Sequence, residues 1–278
     1  MSKRFCVLFR FENALKRHCA TCCIPYVDTR LDCSLPRPSD TALFSSGHFG
    51  NNQGAVRTGM AANWRTEPRD CDRFGTGVLT RFTDRSGCWR GLLYRHTDVN
   101  RVRGRRSYDD LCLPYESSSF EVDHGGPHIW TGGHMSTLAC APLDPFFWSH
   151  HCFIDMLGEL LHDRLPTSQW YYPRNWWWLP WRHRPDDPMR PFDYVNQDGM
   201  DNEAIGKEYF YDPSPAEEVC NTESDCGASG LLWCDMATGR GECKAKCRQG
   251  GVCNRGIHAM CYCETGTPRC DTGTCQCT

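Results

Sequence analysis

Twenty-one cysteines in 278 residues constrain this chain more than any other feature. Such a density is unsafe in a reducing cytosol and useful where thiols are oxidised, so the sequence reads as that of a secreted, disulfide-bonded protein. The cysteines are unevenly spread. Eleven fall within the 58 residues Cys220–Cys277, where glycine is frequent and aliphatic side chains are almost absent. That stretch predicts a small module held by covalent staples instead of an apolar core. We therefore expect two domains, residues 1–212 and residues 213–278. The spacing Cys247-x5-Cys253-x7-Cys261-x-Cys263 partly resembles that of epidermal-growth-factor-like modules; zinc chelation by CxC pairs is the rival reading of the same cysteines.

Other bulk properties exclude more than they assign. Thirty-one Lys and Arg against 34 Asp and Glu give a net charge of −3, which argues against a general nucleic-acid binder. The basic run Arg101–Arg106 lacks interleaved aromatics and reads as a solvated loop. No stretch approaches the ~20 apolar residues of a membrane span. The opening MSKRFCVLFRFENALKRH carries no adequate leader, since its apolar run Phe5–Phe9 is interrupted at once by charge. With an odd cysteine total, this is the expectation for a chain whose first part lies upstream of Met1.

Two helices are legible. Residues 5–18 place apolar side chains at near-helical spacing with Lys16 and Arg17 toward the end, where the helix dipole favours cations. From Pro145 to His162, Asp144 offers an N-cap, Pro145 suits the first helical position, and Phe147, His151, Ile154, Leu157 and Leu161 share one side. Between Thr21 and Phe120 the sequence predicts long irregular structure stapled by disulfides. Residues 166–212, dense in Trp, Tyr and Pro, predict an extended segment covering the core.

Two histidine clusters carry the chemistry. His124-x3-His128 would put two imidazoles on one helical face, and His150-His151 lies within DPFFWSHHCFID. A third imidazole from a facing helix would complete a trigonal metal site. Pro127 lies between the first pair, so that helix is expected to start near Asp123.

The string Asp144–Asp155 resembles the copper-B signature of tyrosinases and related phenol oxidases, Asp-Pro-x-Phe-aromatic/aliphatic-x2-His-x3-Asp, and meets every specified position. HGGPHIWTGGHM resembles the family's His-x3-His followed by a Gly-Gly-x-Met turn. CCIPYVDTRLD resembles its Pro-Tyr-Trp-Asp segment and HRPDDPMRPF the strand after the helix. These matches span residues 5–212 and look most like secreted molluscan tyrosinases. The resemblance implies a mainly α fold: a truncated tyrosinase-type four-helix core with long stapled loops, followed by the cysteine-rich module. It implies copper held by His124, His128 and His151. His150 and Phe153 would flank the substrate entrance, with Asp155 and Glu121 bracing the site. It also implies oxidation of phenols or catechols to quinones with O2.

The departures are as informative. The family's copper-A site ends in a histidine eight residues before a helical glutamate. Counting back from Glu12 gives Arg4, and residues 1–17 contain no histidine. A guanidinium stays protonated and cannot replace an imidazole as ligand. We therefore expect one copper in this chain, against two in complete family members. In the family each of two coppers gives one electron to O2, so the chain alone is expected to have little phenol oxidase activity. Val27 stands where the family has Trp. Gly125 stands where many members carry an Asn linked to phenol deprotonation, which favours diphenol oxidation over monophenol hydroxylation. The alternatives are a non-enzymatic secreted matrix or binding protein that keeps a single copper site, with the C-terminal module as its contact to extracellular matrix, and a haemocyanin-like oxygen carrier.

Overall fold

A computed structural model describes residues 2–66, 71, 73–86, 88, 92–107, 120–164, 184–200 and 209–278. Much of the expected extended segment at 166–212, including His183, lies outside these residues. Five α-helices, seven short strands and eight disulfides are found among them. The helices are α1 (Ser2–Lys16), α2 (Thr29–Asp32), α3 (His96–Arg103), α4 (Phe120–Thr131) and α5 (Pro145–His162). No helix among the described residues is long and apolar enough to cross a membrane.

The chain divides into two compact units. The first holds Met1–Val27, Thr97–His124 and Trp148–Asp212. Here α1 buries Leu8 and stacks Phe11 on Trp148 at 3.8 Å between ring centroids. Glu12 pairs with Lys16 one turn on (2.6 Å) and accepts the Ile24 N–H (3.2 Å). Within α5, His151, Ile154, Leu157 and Leu161 are buried at the spacing the sequence predicts, Phe147 of the same stripe is half-buried, and Phe153 is buried as well. The basic run is only partly a loop: Arg101–Arg103 close α3, whose Val99 and Val102 are buried, and Arg101 bridges Asp98 (3.2 Å) and Asp123 (2.7 Å). Two valines three residues apart suffice to dock this otherwise polar helix, a pattern too short to stand out in the sequence.

The second unit holds Asp28–His96, Gly125–Phe147 and Pro213–Thr278. Strands β1 (Gln53–Ala55) and β2 (Thr80–Phe82) form an antiparallel ladder with Gln53 opposite Phe82. Around them pack the buried rings of Phe44, Phe49, Trp130 and Phe146. Through them runs a fully buried ion pair. Arg81 donates from Nε to Asp144 Oδ2 (2.7 Å) and from Nη2 to Oδ1 (2.8 Å), and its Nη1 donates to the carbonyls of Phe49 (2.8 Å) and Asn51 (3.3 Å). Asp144 also accepts the Phe146 N–H (2.9 Å), the expected N-cap of α5.

The cysteine-rich residues form a three-stranded sheet in the order β3 (Val219–Cys220), β5 (Gly241–Ala245), β4 (Leu232–Asp235), and a separate ladder of β6 (Pro268–Arg269) with β7 (Gln276–Cys277). Five disulfides link 220–234, 226–243, 253–270, 261–275 and 263–277. With ten of the 11 cysteines so paired, no thiolate set remains for zinc. Cys247, which opens the growth-factor-like spacing, is instead a buried free thiol that desolvation pushes up to about 12. Leu35 shares the core of these residues with Trp233 and Met260, and Ala42 N–H donates to Lys246 O (2.8 Å).

Candidate metal centre

Helix α4 runs through Pro127, contrary to the expectation that it would start near Asp123. It begins three residues earlier, at Phe120, and keeps the proline in its interior. The missing proline N–H removes one rung of the ladder. Beside the proline the backbone is closely packed: a Cβ on Gly126 would stand 2.6 Å from Leu92 O, so only glycine lets the two segments approach. Gly132 and Gly133 then turn the chain with φ of 65° and 57°, and a Cβ on Gly133 would lie 2.0 Å from Thr80 O. The Gly-Gly-x-Met string is thus a steric requirement for seating the turn against β2.

The histidine pair of α4 lies one helical turn apart, and α5 supplies His150 and His151. One ring nitrogen from each of His124, His128, His150 and His151 falls within 4.8 Å of the others. The His124 ring centroid is 5.2 Å from that of His151 and 5.8 Å from that of His150, the latter pair nearly parallel. His150 and His151 are buried.

Hydrogen bonds to main-chain carbonyls settle which nitrogens can bind a metal. A carbonyl only accepts, so the nitrogen facing it must carry the proton, and a neutral imidazole then has its lone pair on the other nitrogen. His124 donates from Nδ1 to Glu121 O (3.0 Å) and His128 from Nδ1 to Met135 O (2.9 Å). Both therefore offer Nε2. His150 is reversed, donating from Nε2 to His124 O (3.0 Å). Its ring joins α5 to the α4 backbone. Clustered, partly buried imidazoles, three of them hydrogen-bonded to main-chain carbonyls, are a donor set that suits copper or zinc.

The remaining expected residues take different places. Glu121 is half exposed, with its carboxylate 3.6 Å from His124 Nδ1. Phe153 is buried, its ring 6.3 Å from that of Tyr26. Asp155 accepts hydrogen bonds from the hydroxyls of Tyr211 (2.8 Å) and Tyr209 (3.5 Å), and burial pushes its carboxyl up to about 7. These tyrosines were not singled out in the sequence because they lie 54 and 56 residues further on. Phe147, edge-on to the His128 ring at 5.8 Å, is a further neighbour of the cluster. His134 serves the fold: Nδ1 accepts the Thr80 N–H (2.9 Å) and Nε2 donates to Cys71 O (2.7 Å).

Residues 6–163 match the family described as the common central domain of tyrosinase. A tyrosinase-like protein of Caenorhabditis elegans is 29% identical over 272 residues, covering 91% of this chain and 36% of that protein. Tyrosinase-like protein 1 of Margaritifera margaritifera is 30% identical, over 81% of this chain and 45% of its own length. Grixazone synthase of Streptomyces griseus is 38% identical over 66% of this chain and 71% of its length. The chain thus spans less than half the length of the first two relatives.

Proposed function

Because the chain belongs to the tyrosinase family, we propose that its histidine cluster is a copper site, with His124, His128 and His151 as ligands, serving a secreted oxidoreductase that converts phenols or catechols to quinones with O2. The observation that carries this reading is the tautomer pattern: carbonyl acceptors turn the Nε2 lone pairs of His124 and His128 outward from their own backbone, within a cluster of four imidazoles. The donor set fits copper, which prefers imidazole nitrogen. Bound there, copper would supply the one-electron exchange with O2 that no side chain provides.

The protein's own part is positioning. Main-chain acceptors hold the rings of His124 and His128 against rotation, so binding costs little reorganisation. His150, with Nε2 engaged on the His124 carbonyl, steadies the α4–α5 junction while His151 coordinates. Phe147, edge-on to the His128 ring, gives the cluster an apolar neighbour. Asp155, hydrogen-bonded to Tyr209 and Tyr211, anchors the turn of α5 beyond His151. The truncated four-helix core expected from the sequence, and a second metal bound elsewhere in a longer protein, belong to the same reading. Among the described residues one histidine cluster is found, and on this reading a single copper there is expected to turn over little substrate.

Copper titration of the purified chain, read by metal analysis and electron paramagnetic resonance, tests the assignment. A single copper with nitrogen hyperfine structure is expected, and His128→Ala should abolish it. Unchanged copper content in that variant would overturn the ligand set, and fast catechol oxidation with a single copper bound would overturn the need for a partner metal.

A further inference from the structure

None of the clustered histidines lines an open cleft of about 620 Å³ in the second unit, formed between residues 44–58 and residues 248–277. Its volume is that of a small-molecule site. Polar contacts tie the two walls together. Asp40 accepts from Arg248 Nη2 (3.3 Å) and from the Val252 N–H (3.0 Å), while the Arg248 N–H donates to the Asp40 carbonyl (2.8 Å). Glu264 accepts from the Ser46 hydroxyl (2.7 Å) and the Gly47 N–H (2.6 Å). The cleft is therefore preformed, and filling it costs little ordering. Its lining keeps hydrogen-bonding capacity in reserve. Gln53 donates from Nε2 to Thr83 O (2.8 Å), which leaves its carboxamide oxygen to accept. The side chains of Gln249 and Thr265 and the hydroxyl of Tyr262 have no hydrogen-bond partner among the described residues. The Tyr262 ring, edge-on to His48 at 5.4 Å, adds an apolar surface.

Charge in the cleft is balanced. The Arg248 guanidinium is paired with Asp40, and Glu264 contributes the opposite sign. An anion would meet the Glu264 carboxylate and a cation the Arg248 guanidinium, whereas a neutral ligand meets neither penalty. The reserve groups are carboxamides and hydroxyls, which both donate and accept, as sugar hydroxyls do. An aromatic ring among them suits the C–H face of a sugar ring. We propose that this cleft binds a neutral saccharide, with its hydroxyls hydrogen-bonded by Gln53, Gln249, Thr265 and the Tyr262 hydroxyl and one sugar ring packed on Tyr262.

The test is a ligand-observed NMR titration of the full chain, disulfides intact and metal chelated, with cellotriose and with its N-acetylglucosamine counterpart. Saturable binding of at least one of them, at one site per chain, is expected at millimolar sugar. Gln249→Ala changes an exposed side chain without a protein partner, so the melting temperature should stay put while Kd rises about tenfold. Tyr262→Ala should weaken binding further, and Tyr262→Phe, which keeps the ring, should weaken it less. The absence of saturable binding for both sugars would overturn the proposal. Undiminished binding by the Gln249→Ala chain would overturn it too, since the sugar would then sit elsewhere. Tighter binding of a sulfated cellotriose would overturn the neutral class.

Discussion

Replacing Arg81 by Met removes a guanidinium that is wholly buried and leaves a side chain of similar length in the same space. The Asp144 carboxylate, equally buried, is then left without its counter-charge, the Phe146 N–H remaining as its partner among the described residues. Breaking a buried ion pair on one side typically costs about 3–5 kcal/mol, because the abandoned charge is not resolvated. The carbonyls of Phe49 and Asn51 also lose a donor, adding up to about 1 kcal/mol each. Against a total stability of about 5–15 kcal/mol, the change is severe. Urea unfolding without reductant, followed by tryptophan fluorescence, should show the midpoint falling by at least about 1 M. The decisive comparison is Arg81→Met combined with Asp144→Asn. The amide keeps the helix cap but carries no charge, so the double variant should be more stable than the sum of the single effects by about 2 kcal/mol. A single-variant loss below about 1 kcal/mol, or strict additivity, would refute the view that the buried charge is what the arginine neutralises.

Three other outcomes follow from described geometry. His150→Ala should weaken copper by about 10- to 100-fold yet leave it measurable by titration, because the ring orients the site and its Nε2 faces the His124 carbonyl. Gly126→Ala should lower stability by about 1–3 kcal/mol in the same urea assay, since its Cβ would meet Leu92 O at 2.6 Å. Asp32 gives a pH signature: burial first, then the nearby Asp28 charge, raise its carboxyl to about 7 from a normal value near 3.8. The unfolded chain releases this proton at lower pH than the folded chain. Stability therefore falls as pH rises from about 4 to about 7 and levels off above; Asp155, raised over the same window, adds to this slope, so Asp32→Asn should make it shallower and leave the Asp155 part in melts taken across the window.

Helix α5 was legible because every local signal agrees: the Asp144-Pro145 start, the apolar spacing and the polar end at His162. The four histidines were legible for a related reason, since their spacing on two helices already restricts where imidazoles can meet. What the sequence hid was contact across distance. Arg81 lies 63 residues from Asp144, and nothing in GVLTRFTD marks it as the partner of a helix cap. The close approach of Gly126 to the Leu92 backbone is a contact across distance of the same kind, and local propensity alone placed the start of α4 too late. The tie from Asp155 to Tyr209 and Tyr211 is hidden in the same way, by a long segment whose own pattern suggests only cover.

The acceptors that set the tautomers of His124 and His128 are peptide oxygens, those of Glu121 and Met135. No single-codon change can delete a peptide oxygen. Glu121 or Met135 can drift to other residues while the same atom goes on orienting the same ring. The electronic polarity of this histidine set is therefore inherited through the chain trace, and it can persist through sequence divergence that would erase a site oriented by side-chain carboxylates.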